Sequence, residues 1–330
     1  MMGLLVNGEW KDQWYDTKAS NGRFVREDSS FRHQIVAAPG HRDDFKAEPD
    51  RYHLFVSYAC PWAHRTLIFR KLKKLEDLIG VTVVSPYMME NGWEFEINDP
   101  SLKALDLDVS YLHQIYTGTN PTYTGRVTVP VLWDKKNRII VNNESAEIIR
   151  IFNSAFNAFT SVSHDFYPQE LRDEIDAIND KVYHHVNNGV YKSGFATTQS
   201  AYEEAFDTLF ETLEMLNNRL SQQRFLVGNR LTEADWRLFT TLVRFDAVYF
   251  SHFKTNLKRI ADYGHLSHYL RELYQIPGVK ETVHMDHIKQ HYYYSHQMIN
   301  PTRIVPKGPE LNLSDPHNRD RFGNEPLIME

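Results

Sequence analysis

The spacing of hydrophobic positions changes along the chain, and the changes divide it. Residues 52–57, Tyr-His-Leu-Phe-Val-Ser, are aromatic and apolar and predict a strand. Ile68, Leu72 and Leu75 recur at i, i+4 and i+7, the buried stripe of a helix over 62–75. Pro61 suits its first position, where a missing N–H has no partner to lose. Gly80 closes the helical region, and the β-branched run 81–84 predicts a second strand. Residues 85–125 have no clear period and read as a long excursion. A third strand spans 127–133, interrupted by Pro130, which argues for a strand start or an edge. Asp134-Lys135-Lys136-Asn137 is a turn leading back into a fourth strand at 138–141. A helix then opens at 143–146, with Ile148, Ile149 and Phe152 as its apolar face.

From about 165 onward the period is helical. Leu171, Ile175 and Ile178 fit one helix, and Tyr202, Phe206, Leu209, Leu213 and Leu216 fit another. Thr232-Glu233-Ala234-Asp235 resembles a capping box, with Asp where Glu or Gln is usual. Two further helices are expected at 265–274 and 279–296. The order is β-α-β, then β-β-α, then helices alone, which gives an α/β domain followed by an all-α domain. The expected divisions are an N-terminal extension (1–50), an α/β domain (51–157), a helical domain (165–300) and a tail (301–330). The extension carries the charged stretch His41-Arg42-Asp43-Asp44, to which no role is assigned.

Composition narrows the classes. A chain of 330 residues has room for about two domains. A net charge of −6 argues against general nucleic-acid binding, which needs a basic surface. No apolar run reaches the ~18 residues of a membrane span, and the opening residues lack a basic, then apolar, leader. The cytoplasm is the expected location. No Gly-rich phosphate loop occurs, so nucleotide cofactors are disfavoured.

The chain contains one cysteine, Cys60, so an intrachain disulfide and a Cys-rich zinc site are both excluded. Cys60 sits between a strand and a helix start. A buried structural cysteine is the plain alternative, but free N–H groups and the helix dipole favour a thiolate at such a junction, lowering the thiol pKa below ~8.5. His64 and Arg65 would add positive potential if they face it. Ala63 stands where a dithiol oxidoreductase carries its resolving cysteine, so any mixed disulfide on Cys60 needs an external thiol to resolve it. Glu144-Ser145 opens a helix: this fits an ordinary first-turn cap and also a carboxylate-binding end. His284, His287 and His291 share a helical face, read as packed or solvated histidines, and no metal site is expected.

Several segments carry a family resemblance: Cys60-Pro61-Trp62-Ala63, Glu90-Asn91-Gly92-Trp93, the run from Gly125 through Val129-Pro130 to Asp134, Glu144-Ser145, Asn188-Gly189-Val190-Tyr191-Lys192, and Leu231-Thr232-Glu233-Ala234-Asp235. The sequence is similar to the bacterial glutathionyl-hydroquinone reductases, the Xi-class glutathione transferases, which are related to the omega class. The likeness runs over nearly the whole chain. It implies a glutathione transferase fold, with a thioredoxin-like N-terminal domain and an all-helical C-terminal domain.

The resemblance also implies roles. Cys60 is the catalytic nucleophile. Trp93, Arg126, Val129, Glu144 and Ser145 contact glutathione, Ser145 taking its γ-glutamyl carboxylate and Glu144 its ammonium. Pro130 is a structural cis proline that frees the Val129 backbone for a peptide-like ligand. Tyr191, Tyr249 and Tyr292 contact the hydroquinone. Glutathione is a cosubstrate, no cofactor is permanently bound, and a homodimer is expected. Two alternatives stay open. One is an omega-like thioltransferase or dehydroascorbate reductase. The other is a non-catalytic ligand carrier, since fold alone does not fix activity.

Overall fold

The computed structural model describes residues 3–38, 40, 45–323 and 327–328. The charged stretch His41-Arg42-Asp43-Asp44 lies outside the described residues. The strands are β1 (Leu4–Val6), β2 (Glu9–Lys11), β3 (Ile35–Val36), β4 (Phe45–Lys46), β5 (Tyr52–Val56), β6 (Ile79–Val83), β7 (Gly125–Arg126), β8 (Val131–Asp134) and β9 (Ile139–Asn142). The helices are α1 (Pro61–Leu72), α2 (Pro100–Ala104), α3 (Leu112–Thr119), α4 (Ser145–Ser154), α5 (Arg172–Val182), α6 (Gly189–Gly194), α7 (Gln199–Gln222), α8 (Glu233–Arg244), α9 (Phe250–His252), α10 (Leu266–Gln275) and α11 (Met285–Ser295).

The chain forms two compact units. The first comprises Met1–Trp14, Glu27–Val162 and Thr282–Arg303, the second Tyr15–Arg26, Ser163–Glu281 and Ile304–Glu330, each over its described residues. These units do not follow the linear divisions expected from the sequence. In particular, α11 belongs with the sheet unit: His291 and Ser295 both hydrogen-bond the Pro86 carbonyl, and the His291 ring stacks on Trp93.

The first unit is built on a four-stranded mixed sheet of order β6-β5-β8-β9. β5 runs parallel to β6 and antiparallel to β8, and all five of its residues are buried, as a central strand requires. Helices α1 and α4 of this unit pack together. The helix expected over 62–75 ends at Leu72, because Lys74 takes a left-handed conformation (φ 52°). The Leu75 and Lys74 N–H groups then return to the Arg70 and Lys71 carbonyls in a Schellman closure that still buries Leu75.

Gly80 lies inside β6 rather than closing a helix. A Cβ there would come within 2.6 Å of the His53 ring on the neighbouring strand. The third strand begins only at Val131, one residue past Pro130. The excursion 85–125 contains α2 and α3, helices of five and eight residues, too short to display a period.

The second unit is helical. Its α8 opens with the expected capping box: the Asp235 carboxylate accepts the Thr232 N–H at 2.9 Å. Burial pushes the Asp235 carboxyl up to about 6, against hydrogen bonds from Leu226, Thr232 and Tyr269. The tail packs into this unit: the buried Arg319 guanidinium donates to the Leu220 and Gln223 carbonyls at 2.7 Å each.

Candidate active site

Cys60 is the N-cap of α1, with extended backbone (φ −74°, ψ 122°). Its Sγ accepts the Ala63 N–H at 3.5 Å. As a thiol it donates to the Val129 carbonyl, also at 3.5 Å. Ionisation gives up the carbonyl contact and keeps the helix-end donor, which interacts better with a thiolate. Cys60 is 8 % exposed, so an incoming sulfur meets a nucleophile held in a largely dry setting.

Val129 and Pro130 are joined by a cis peptide. The contact between Cys60 and the Val129 carbonyl spans 69 residues of sequence. Glu144 caps α4 from just outside the helix. Its Oε1 accepts the Ala146 N–H at 3.0 Å, and its Oε2 accepts the Ser29 hydroxyl at 3.1 Å. Ser145 is the first residue of α4, and Arg65 Nη1 lies 3.5 Å from its Oγ.

Sequence reasoning missed Tyr116. This buried phenol sits on α3, inside the aperiodic excursion. It donates to the Thr128 carbonyl at 2.8 Å and accepts the Thr128 N–H at 3.2 Å and the Asn143 carboxamide at 3.1 Å. Thr128 precedes Val129, and Asn143 precedes Glu144. Desolvation pushes the Tyr116 hydroxyl up to about 12, so it stays a neutral donor.

The remaining candidates each have partners of their own. Trp93 stacks on His291 with ring centroids 4.8 Å apart. Arg126 donates to the Gln13 carbonyl and pairs with Glu27 at 3.6 Å. His64 bonds the Thr282 hydroxyl at 2.8 Å. Of the three histidines, His284 stacks on Tyr58 at 3.6 Å and His287 meets the same ring edge-on at 5.4 Å.

In the helical unit, Tyr191 and Tyr249 lie 6.1 Å apart by ring centroid, each within 5.5 Å of Phe253. Tyr249 ends the π-helical turn Phe245–Tyr249, and Tyr191 follows the turn Tyr183–Asn187. Arg26 places its guanidinium 5.0 Å from the Tyr191 centroid. Tyr292 lies in the other unit. It is buried on α11 and meets His296 edge-on at 5.5 Å. The contacts of α11 with Pro86 and Trp93 group Tyr292 with the sheet unit.

Two family models match, the glutathione S-transferase N-terminal domain over residues 59–155 and the C-terminal domain over 199–272. The chain belongs to the glutathione transferase family. It is 56 % identical over 328 residues to the glutathionyl-hydroquinone reductase YqjG of Escherichia coli, covering 98 % of this chain and all of that one. It is 56 % identical to the glutathionyl-hydroquinone reductase PcpF of Sphingobium chlorophenolicum, over 94 % of this chain and 98 % of that one. Among solved structures, the glutathione-bound YqjG aligns with a TM-score of 0.86 at 51 % identity, over 96 % of this chain and 99 % of that one. A Xi-class transferase from Natrialba magadii aligns at 0.89 and 46 % identity, over 98 % of each chain. The N-terminal match spans Cys60, Trp93, Arg126, Val129, Glu144 and Ser145; the C-terminal match spans Tyr249.

Proposed function

We propose that this transferase reduces glutathionyl-hydroquinones to free hydroquinones at the expense of glutathione. One observation carries the chemistry: the chain's single cysteine caps α1 with its sulfur on the Ala63 N–H and against Val129. The names of relatives 56 % identical over nearly the full length support the substrate.

In the first step the Cys60 thiolate attacks the sulfur of the glutathionyl group. The new bond is Cys60 Sγ to glutathione sulfur; the bond broken is sulfur to ring carbon. The ring carbon keeps the electron pair, takes a proton and leaves as hydroquinone. In the second step a glutathione thiolate attacks the mixed disulfide, releasing oxidised glutathione and restoring the Cys60 thiolate. The substrate ring is thereby reduced and two glutathionyl sulfurs are oxidised. An internal resolving thiol is excluded by composition, because Cys60 is the only cysteine.

Trp93, Arg126, Val129, Glu144 and Ser145 are the proposed glutathione contacts, and Tyr191, Tyr249 and Tyr292 the proposed hydroquinone contacts. Ser145 with the α4 N-terminus suits a carboxylate, and the Glu144 carboxylate suits an ammonium. A cytoplasmic homodimer completes the proposal, supported by the family resemblance. Intact mass after incubation with a glutathionyl-hydroquinone tests the reading. One glutathione adduct on the wild type, absent from Cys60→Ala, is expected together with ping-pong kinetics. Turnover by Cys60→Ala at the wild-type rate would refute it.

A further inference from the structure

Arg65 lies five residues after Cys60 on α1, and α1 packs against α4. Its side chain is nearly sealed from solvent, at 1 % exposure, and its guanidinium carbon stands 4.8 Å from the Trp62 ring centroid. Arginine offers only donors and does not lose its proton. The 3.5 Å contact between Arg65 Nη1 and Ser145 Oγ therefore has one direction: Ser145 accepts. A serine hydroxyl has one hydrogen of its own to give. Ser145 is 3 % exposed, and among the described residues its hydroxyl has no acceptor. A buried hydroxyl with its hydrogen unspent is costly unless a ligand takes it. It stands on the first residue of a ten-residue helix, where the N–H groups and the dipole favour negative charge.

We propose that Arg65 is a positioning residue for the glutathione γ-glutamyl carboxylate: by donating to Ser145 it turns the serine hydroxyl outward as a donor and adds buried positive charge behind it. This rests on the reading of Ser145 as a glutathione contact. It also ties the helix that Cys60 caps to the far end of the tripeptide, so one rigid element sets both the nucleophile and the anchor.

Calorimetric titration with two ligands tests it: reduced glutathione, and the analogue in which that carboxylate is replaced by hydrogen, 4-aminobutanoyl-cysteinylglycine. The wild type should prefer glutathione by about tenfold or more, the size expected for a charge-assisted hydrogen bond. Arg65→Met and Arg65→Lys should each lower that preference about fivefold or more, with affinity for the analogue changed by less than about twofold. Lysine keeps the charge and loses the planar fork, so it gives the reading if the methionine variant fails to fold. A general packing defect would weaken both ligands equally and leave the ratio at its wild-type value, which overturns the proposal. Ser145→Ala separates the two levels. If it lowers the preference while the Arg65 variants do not, only the role of Arg65 falls. If it leaves the preference intact, Ser145 is not the carboxylate anchor and both readings fall.

Discussion

The phenol oxygen of Tyr116 accepts the Asn143 carboxamide at 3.1 Å while donating to the Thr128 carbonyl at 2.8 Å. Through Asn143 it fixes the approach to Glu144 and Ser145, and through Thr128 the approach to Val129. One buried hydroxyl thus holds two loops that share no sequence neighbourhood.

Tyr116→Phe should release both loops. Removing the hydroxyl leaves the Thr128 and Asn143 groups without this partner, a cost of about 1–3 kcal/mol for buried groups. Thermal denaturation should show the lower stability, and the KM for glutathione should rise. An unchanged KM would show that the two loops hold their positions without the phenol.

Ala63→Cys supplies the thiol that the chain lacks. The Ala63 N–H already points at Cys60 Sγ across one helical turn. After the first attack the second thiol should compete with glutathione, because a neighbouring group has a high effective concentration. Mass spectrometry should find the oxidised dithiol, two mass units below the reduced form. If only the glutathione adduct accumulates, the positions are not in reach of one another.

Glu144→Ala and Ser145→Ala should weaken glutathione binding by about 1–3 kcal/mol each, about fivefold to 150-fold, whatever the acceptor. Tyr191→Phe and Tyr249→Phe remove one hydroxyl apiece and should slow glutathionyl-hydroquinone turnover while sparing a small glutathione mixed disulfide. Tyr292→Phe decides a finer point, because Tyr292 shares its compact unit with Cys60. If it impairs both substrates equally, it belongs with the glutathione contacts.

His53 links the sheet to pH. Burial, aided by Lys135 and Arg70, holds its imidazole down at about 4, and its Nε2 lies 2.7 Å from the Thr82 hydroxyl. The unfolded chain protonates this group near 6.5, so between those values it binds more protons than the folded one. The stability from a neutral His53 is therefore fully present above pH 6.5 and is lost as pH falls through about 4, by about 3 kcal/mol at most. Urea denaturation between pH 7 and 4.5 should show a shallower decline for His53→Gln than for the wild type. Equal slopes would assign the acid sensitivity to other groups.

The sequence by itself determined the local features. A proline after a lone cysteine at a strand-to-helix junction set the N-cap of α1, and a Thr-x-x-Asp spacing set the start of α8. The absence of a second cysteine ruled out an internal disulfide, whatever the fold. These are consequences of covalent identity and of neighbours within one turn. Tertiary structure alone decided what lies far apart in the chain. It set the Cys60 sulfur on the Val129 carbonyl, Tyr116 between two loops, Arg65 behind Ser145, and Tyr292 with the sheet instead of the helical unit. A five-residue helix has too few turns to show a period. The direction of the Arg65–Ser145 bond depends on donor chemistry meeting a partner 80 residues away, which no local pattern encodes.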